Sequence, residues 1–105
     1  MQTTLTRKIA PLIGALAMIA LVTTARAEFP DPQQPTILIT GSNASHGLAF
    51  AEEYAALGWN VIATCRSPEK ADRLKALAAN HPNVVIEELD ILDDEEIAAL
   101  ATKYE

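Results

Sequence analysis

The chain has 105 residues, with 14 acids against eight lysines and arginines and a formal charge of −6. All 14 acids follow residue 27, where only Arg66, Lys70, Arg73, Lys75 and Lys103 oppose them, so residues 28–105 carry −9. That balance argues against nucleic acid or an anionic membrane surface as a partner, and a single cysteine, Cys65, excludes an internal disulfide framework.

Residues 1–27 read as a secretory signal peptide. Arg7 and Lys8 give a basic start, residues 9–22 form an apolar run, and Ala25-Arg26-Ala27 is a small-residue cleavage signal before Glu28. The run is shorter than the roughly 18–20 residues that span a bilayer. The competing reading is an uncleaved anchor or a misplaced start. The leader predicts export to the periplasm with only transient membrane contact; without it the chain is expected in the cytoplasm. No Arg-Arg pair is present, so the expected route is unfolded export. Glu28–Pro35 (EFPDPQQP) holds three prolines in eight residues and predicts an extended linker, leaving residues 36–105 as one small domain.

That domain opens with TILITGSNASHGLAFAEEYAALGWNVIATCR, Thr36 to Arg66. Thr36–Thr40 is a β-branched apolar run of the kind found in a parallel strand covered on both faces. Gly41 breaks it, and helical spacing follows, with Leu48, Ala51, Tyr54 or Ala55, and Leu57 on one stripe. Gly58 predicts a left-handed cap, with Trp59 folding back on Tyr54. Val61–Cys65 is a second buried strand, and a right-handed crossover makes the three pieces a βαβ unit. A turn that leaves a strand and opens a helix gathers backbone N–H groups and the positive helix end at one point, which suits an anion. The plain alternative for Gly41 and Gly47 alone is an ordinary strand-to-helix turn.

Further along, Ser67 suits an N-cap and Pro68 a first helical position, with Ala71, Leu74, Leu77 and Ala78 as the buried stripe. Asn80-His81-Pro82-Asn83 ends that helix, and Val84–Ile86, continuing to Leu89, is a third strand. Asp93 opens a third helix with Glu96 as its capping-box partner and Ile97, Leu100 and Ala101 facing the core. Three βα units make the first half of a Rossmann-type, doubly wound parallel α/β sheet. In the usual strand order the first strand is then an open edge, available for homo- or hetero-association.

Thr40-Gly41-Ser42-Asn43-Ala44-Ser45-His46-Gly47 resembles the T-G-x-x-x-G-x-G turn of the short-chain dehydrogenase/reductase family, in its NADP-preferring, carbonyl-reductase-like branch. The resemblance covers residues 36–105 and implies a nicotinamide dinucleotide cofactor. Gly41 is then the tight turn and Gly47 the close helix packing, with Ser42, Asn43, Ser45 and His46 between them at the phosphates. Ser45 replaces the family's middle glycine. If that site needs a positive φ, serine costs on the order of 1–2 kcal/mol. A Walker A loop is excluded, because five residues separate Gly41 from Gly47 and no lysine follows.

At the end of the second strand Cys65 holds the position where an acid would favour NAD, and Arg66 with Ser67 follows. The resemblance therefore implies NADP ahead of NAD, through the paired donors of an arginine. A solvated residue ahead of a helix is the alternative for Arg66. Asp90, with Ile91 beside it, matches the family acid at the adenine; a loop-capping carboxylate is the alternative. Asn43 is expected to hold the turn through its side chain. Cys65 reads as a small core residue, and neither histidine has metal-ligand company. The family's chemistry needs Ser, Tyr and Lys in Y-x-x-x-K. Tyr54 has Gly58 four places on, and only Glu105 follows Tyr104. No catalytic residue carries over. The expectation is the N-terminal, cofactor-binding part of an NAD(P)-dependent carbonyl or alcohol oxidoreductase, truncated before its catalytic residues. The alternative is a non-catalytic nucleotide-binding or assembly module completed by a second chain.

Overall fold

The computed structural model describes residues 28–105, and the leader expected over 1–27 lies outside them. Three parallel strands stand in the order β1-β2-β3: β1 is Thr36–Ile39, β2 is Asn60–Cys65 and β3 is Val84–Glu88. Leu38 pairs with Ile62 across the first ladder, and Ile62 with Val85 across the second. Every residue of β2 is buried, polar Asn60 and Thr64 included, as a central strand covered on both faces requires. Helices α1 (Ser45–Ala56), α2 (Asp72–Asn80) and α3 (Asp94–Lys103) alternate with the strands, giving the expected α/β, Rossmann-like architecture.

Side-chain alternation divides the sheet into two faces. Ile37, Ile39, Val61, Ala63, Cys65, Val84 and Ile86 point into one core, which α1 closes with Leu48, Ala51 and Ala55 and α2 with Leu74. Glu87 points the other way, where Lys103 grips it at 2.6 Å and the Tyr104 hydroxyl donates to the same carboxylate oxygen. α3 therefore lies on the second face, so the winding is double.

The end of α1 and the start of α3 follow from their sequences. Gly58 takes φ 84°, and the N–H groups of Gly58 and Trp59 donate to the Ala55 and Tyr54 carbonyls. This double closure satisfies two end-of-helix acceptors, and the accompanying apolar contact is the Trp59 ring on Tyr54, with centroids 4.8 Å apart. Asp93 caps α3 by accepting from the N–H groups of Glu95 and Glu96. The reciprocal half of the expected capping box is missing, because the Asp93 N–H donates to the Asp90 carbonyl instead.

Four further expectations are corrected. Residues 28–35 do not run as a plain extended linker. A turn over Asp31–Gln34 is locked onto buried Asn60, whose Oδ1 accepts from the Asp31 N–H and whose amide donates to the Asp31 and Gln34 carbonyls. The second helix does not start at Pro68. Pro68–Lys70 is a 3₁₀ turn, Ser67 makes no side-chain cap, and Ala71 tucks into the core before α2 begins. Leu57 lies beyond the last turn of α1 and is 63% exposed, so it leaves the buried stripe. On α3 only Leu100 is buried, while Ile97 stays 42% exposed and Ala101 is exposed as well.

Two predictions follow from the clasps. Asn60→Ala leaves the Asp31 and Gln34 backbone groups without partners and is expected to lower unfolding stability by about 1–3 kcal/mol, read by urea denaturation on the emission of Trp59. Burial pushes the Glu87 carboxyl up, but the hydrogen bonds from Lys103 and Tyr104 outweigh it and hold the group below its ordinary value of 4.5. The resulting stabilisation is full above that value and is lost as pH falls through the lower native one. Urea midpoints measured down the acid limb should show a shallower loss for Glu87→Gln than for the unmodified chain.

Candidate functional site

The C-terminal ends of all three strands meet at one cleft of about 390 Å³, lined by Thr40, Gly41 and Asn43 after β1, Cys65 and Arg66 at the end of β2, and Leu89, Asp90, Ile91 and Leu92 after β3. The turn from β1 into α1 forms its floor. Gly41 takes φ 62°, a conformation a side chain resists. Gly47 sits against it so closely that a Cβ there would lie 2.1 Å from the Gly41 carbonyl oxygen. Only hydrogen fits between this helix and this turn.

Hydroxyls fix the turn from beneath. Ser42 is fully buried; its hydroxyl donates to the Ile39 carbonyl at 2.7 Å and its N–H to the Thr64 carbonyl. Thr64 sends its own hydroxyl to the same Ile39 oxygen at 3.0 Å. Ser42, expected among the phosphate contacts, thus belongs to the scaffold and offers nothing to the cleft. Asn43, expected both at the phosphates and to hold the turn through its side chain, lines the cleft, and its side-chain amide makes no hydrogen bond among the described residues.

The N-cap of α1 is Ala44, which has no side chain able to accept, and no acid stands in the first turn. The N–H groups of Ser45, His46 and Gly47 have no carbonyl within their own helix to receive them. α3 makes the contrast: Asp93 and three first-turn acids satisfy that helix end internally. α1 leaves its positive end open beside the cleft, where an anion is the group that completes it. Ser45 begins the helix at φ 54°, so the strain anticipated for a serine at the middle-glycine position is present.

Five of the anticipated residues, Gly41, Asn43, Arg66, Asp90 and Ile91, come together around the cleft. His46 and Gly47 face a separate groove along the outer edge of β1, and Ser67 stands one residue outside the cleft wall. Asp90 serves its loop, since its Oδ1 accepts from the Leu92 N–H at 2.9 Å, and also presents a carboxylate at the cleft margin. Burial pushes the Cys65 thiol up, a hydrogen bond from the Ser67 backbone draws it down, and Glu69 and Glu88 raise it again. The net shift is upward, and the thiol is buried in the cleft wall, which suits a packing role. Thr40, Leu89 and Leu92 also line the cleft and are not among the anticipated site residues. The first two are the terminal residues of strand runs, and their position at the C-terminal ends is the signal that marks them.

A Rossmann-like α/β sheet with an anion-ready turn at the C-terminal end of its first strand defines a class of nucleotide-binding folds. Within it, residues 35–105 match the short chain dehydrogenase family, and the chain belongs to that family. An uncharacterized oxidoreductase of Bacillus subtilis (strain 168), YusZ, is 38% identical over 65 residues, covering 59% of this chain and 23% of its own length. Among solved structures, the NADPH-bound carbonyl reductase from chicken fatty liver is 38% identical with a TM-score of 0.64, covering 68% of this chain and 28% of its own. A short-chain dehydrogenase from Streptomyces avermitilis is 32% identical with a TM-score of 0.60, over 69% of this chain and 26% of its own. A metagenomic short-chain oxidoreductase in complex with NADP is 27% identical with a TM-score of 0.59, over 67% and 32%. The chain thus spans about a quarter of the length of these relatives and corresponds to the N-terminal part of their domain.

The turn itself yields a pair of opposed predictions. Ser45→Gly removes the positive-φ strain and is expected to stabilise the chain by about 1 kcal/mol. Gly47→Ala drives a methyl group into the Gly41 carbonyl and is expected to cost about 3 kcal/mol or more. Thermal melts of the two variants beside the unmodified chain should move in opposite directions.

Proposed function

We propose that this chain is the part of an NAD(P)-dependent carbonyl or alcohol oxidoreductase that binds the dinucleotide, with NADP preferred over NAD. The observation that carries the proposal is that Gly41 and Asn43, in the turn leading into the uncapped N-terminus of α1, share one cleft with Arg66. The dinucleotide's pyrophosphate suits the first-turn amides, because close backbone approach is what the two glycines permit. Arg66 is exposed at the end of β2, with planar paired donors that match a 2′-phosphate. The neutral, buried Cys65 at the preceding position puts no carboxylate against that phosphate. Ile91 and Leu92 supply apolar surface and Asp90 an acceptor for a purine at the far side of the cleft. When bound, the nicotinamide supplies hydride transfer to or from a carbonyl carbon; residues 28–105 contribute binding and orientation. The carbonyl-reductase and NADP-bound relatives support this reading of the cofactor and of the complete enzyme's reaction class.

Export forms a second element of the proposal. Cleavage before Glu28 would leave residues 28–105, with the Asp31 turn that Asn60 anchors, in the mature chain. N-terminal sequencing of the chain from cells supports export with a start at Glu28 and opposes it with a retained Met1.

The cofactor test is a fluorescence titration of the 105-residue chain with NADPH and with NADH. Saturable binding that favours NADPH supports the proposal, and no saturable binding of either removes it. Arg66→Ala is expected to weaken NADPH about ten- to a hundredfold, the equivalent of losing charge-assisted hydrogen bonds, while leaving NADH nearly unchanged.

A further inference from the structure

Residues 28–105 hold five lysines and arginines, and three of them are engaged in ion pairs within the fold. Arg73 meets Glu52 at 3.6 Å, Lys75 meets Asp72 at 3.5 Å, and Lys103 holds Glu87. Arg66 and Lys70 are the other two. Both are exposed, and neither has an ion-pair partner among the described residues. Arg66 is the one cation among the residues lining the cleft, and the turn from Thr40 to Gly47 holds no lysine or arginine.

The two free cations are joined by the 3₁₀ turn that leaves β2. Pro68 fixes its own φ there, and the Lys70 N–H donates to the Ser67 carbonyl at 3.0 Å. Such a bond draws the Cα atoms at its two ends to within about 7 Å, so the chain doubles back and Lys70 returns beside Ser67, the neighbour of Arg66. Buried Ala71 anchors the far end of the turn in the core, and the Lys75 ammonium braces its middle by donating to the Glu69 carbonyl at 2.8 Å. Charge at this corner also matters. The carboxylates of Glu69 and Glu88 both act on the Cys65 thiol in the cleft wall. Arg66 by itself is therefore outnumbered by acids at the end of β2, where a phosphate ester would bring a further charge of about −1.5 to −2.

We propose that Lys70 is the second cation of the 2′-phosphate site, reaching back over the 3₁₀ turn to close on the phosphate from the side opposite the cleft. Its role rests on the NADP site proposed above, which Lys70 completes. The planar fork of Arg66 pairs with two phosphate oxygens, and the Lys70 ammonium, a point charge on a flexible stem, takes the third. Together the two cations balance Glu69 and Glu88, so the preference for NADP over NAD belongs to the pair.

The test compares NADPH with NADH, which differ only in the 2′-phosphate, in fluorescence titrations of the 105-residue chain and its Lys70→Ala, Lys70→Arg and Lys75→Ala variants. Unchanged Trp59 emission shows that each variant folds. Lys70→Ala is expected to weaken NADPH about three- to tenfold, the loss of one exposed charge-assisted contact, and to leave NADH unchanged. Lys70→Arg restores NADPH binding, and Lys75→Ala, which removes a cation tied elsewhere, leaves both affinities as they were. Lys70→Gln keeps the stem without the charge and decides the matter if the alanine variant does not fold. An unchanged NADPH affinity in Lys70→Ala, an equal loss for NADPH and NADH, or an equal loss in Lys75→Ala would overturn the role of Lys70. If Arg66→Ala abolishes the NADPH preference while Lys70→Ala does nothing, the cofactor site stands and Lys70 is outside it. An unmodified chain that binds neither dinucleotide removes both.

Discussion

The close approach of Gly47 to the Gly41 carbonyl constrains everything around it. A helix can start that near the end of a strand only if no side chain stands between, and a Cβ at 2.1 Å from a backbone oxygen has no room. The approach fixes where α1 begins, and hence where its unsatisfied first-turn amides point. It also forces Gly41 into its positive φ and obliges the Ile39 carbonyl to find partners in hydroxyls, those of Ser42 and Thr64, where the ladder breaks off. The cleft exists because the chain turns this sharply at the top of β1.

The three helix beginnings show how satisfaction of backbone groups separates structural ends from binding ends. α3 is closed by Asp93 and surrounded by acids, so nothing negative belongs there. α2 is led in by a 3₁₀ turn, with the Lys75 side chain reaching back to the Glu69 carbonyl. α2 also has an alanine at its cap but carries Asp72 in its first turn, whereas α1 has neither a capping side chain nor a first-turn acid. Across the sheet, Tyr104 and Lys103 hold Glu87 and so fasten α3 to the second face. Burial, and then the bond to Glu87, push the Tyr104 hydroxyl well above the usual phenol range, which marks it as a clamp.

Most of this architecture was legible in the sequence. Gly58 with Trp59 and Tyr54 announced the helix end, because the cap needs a residue free to take positive φ and an apolar pair to cover it. The run Val61–Cys65, apolar but for Thr64, announced a buried strand. What stayed illegible depends on contacts remote in sequence. Asn60 looks like a strand-flanking turn residue until Asp31 and Gln34 are folded over it, 29 and 26 positions away. Ser42 and Asn43 are both small polar residues in a turn, and only the direction of the chain sends one inward and the other to the cleft. Periodicity placed Ile97 and Ala101 on an apolar stripe, but whether a stripe is covered depends on what lies over it, and among the described residues only Leu100 is buried there.

The central claim is that the turn from Thr40 to Gly47 holds the phosphates of a dinucleotide. Backbone amide shifts of the isotopically labelled chain during a titration with NADP test it most directly. The account predicts that the largest movements fall on Gly41, Asn43 and the first-turn amides Ser45, His46 and Gly47, with Arg66 following and α3 unmoved. Shifts confined to other residues, or none at saturating NADP, would contradict it.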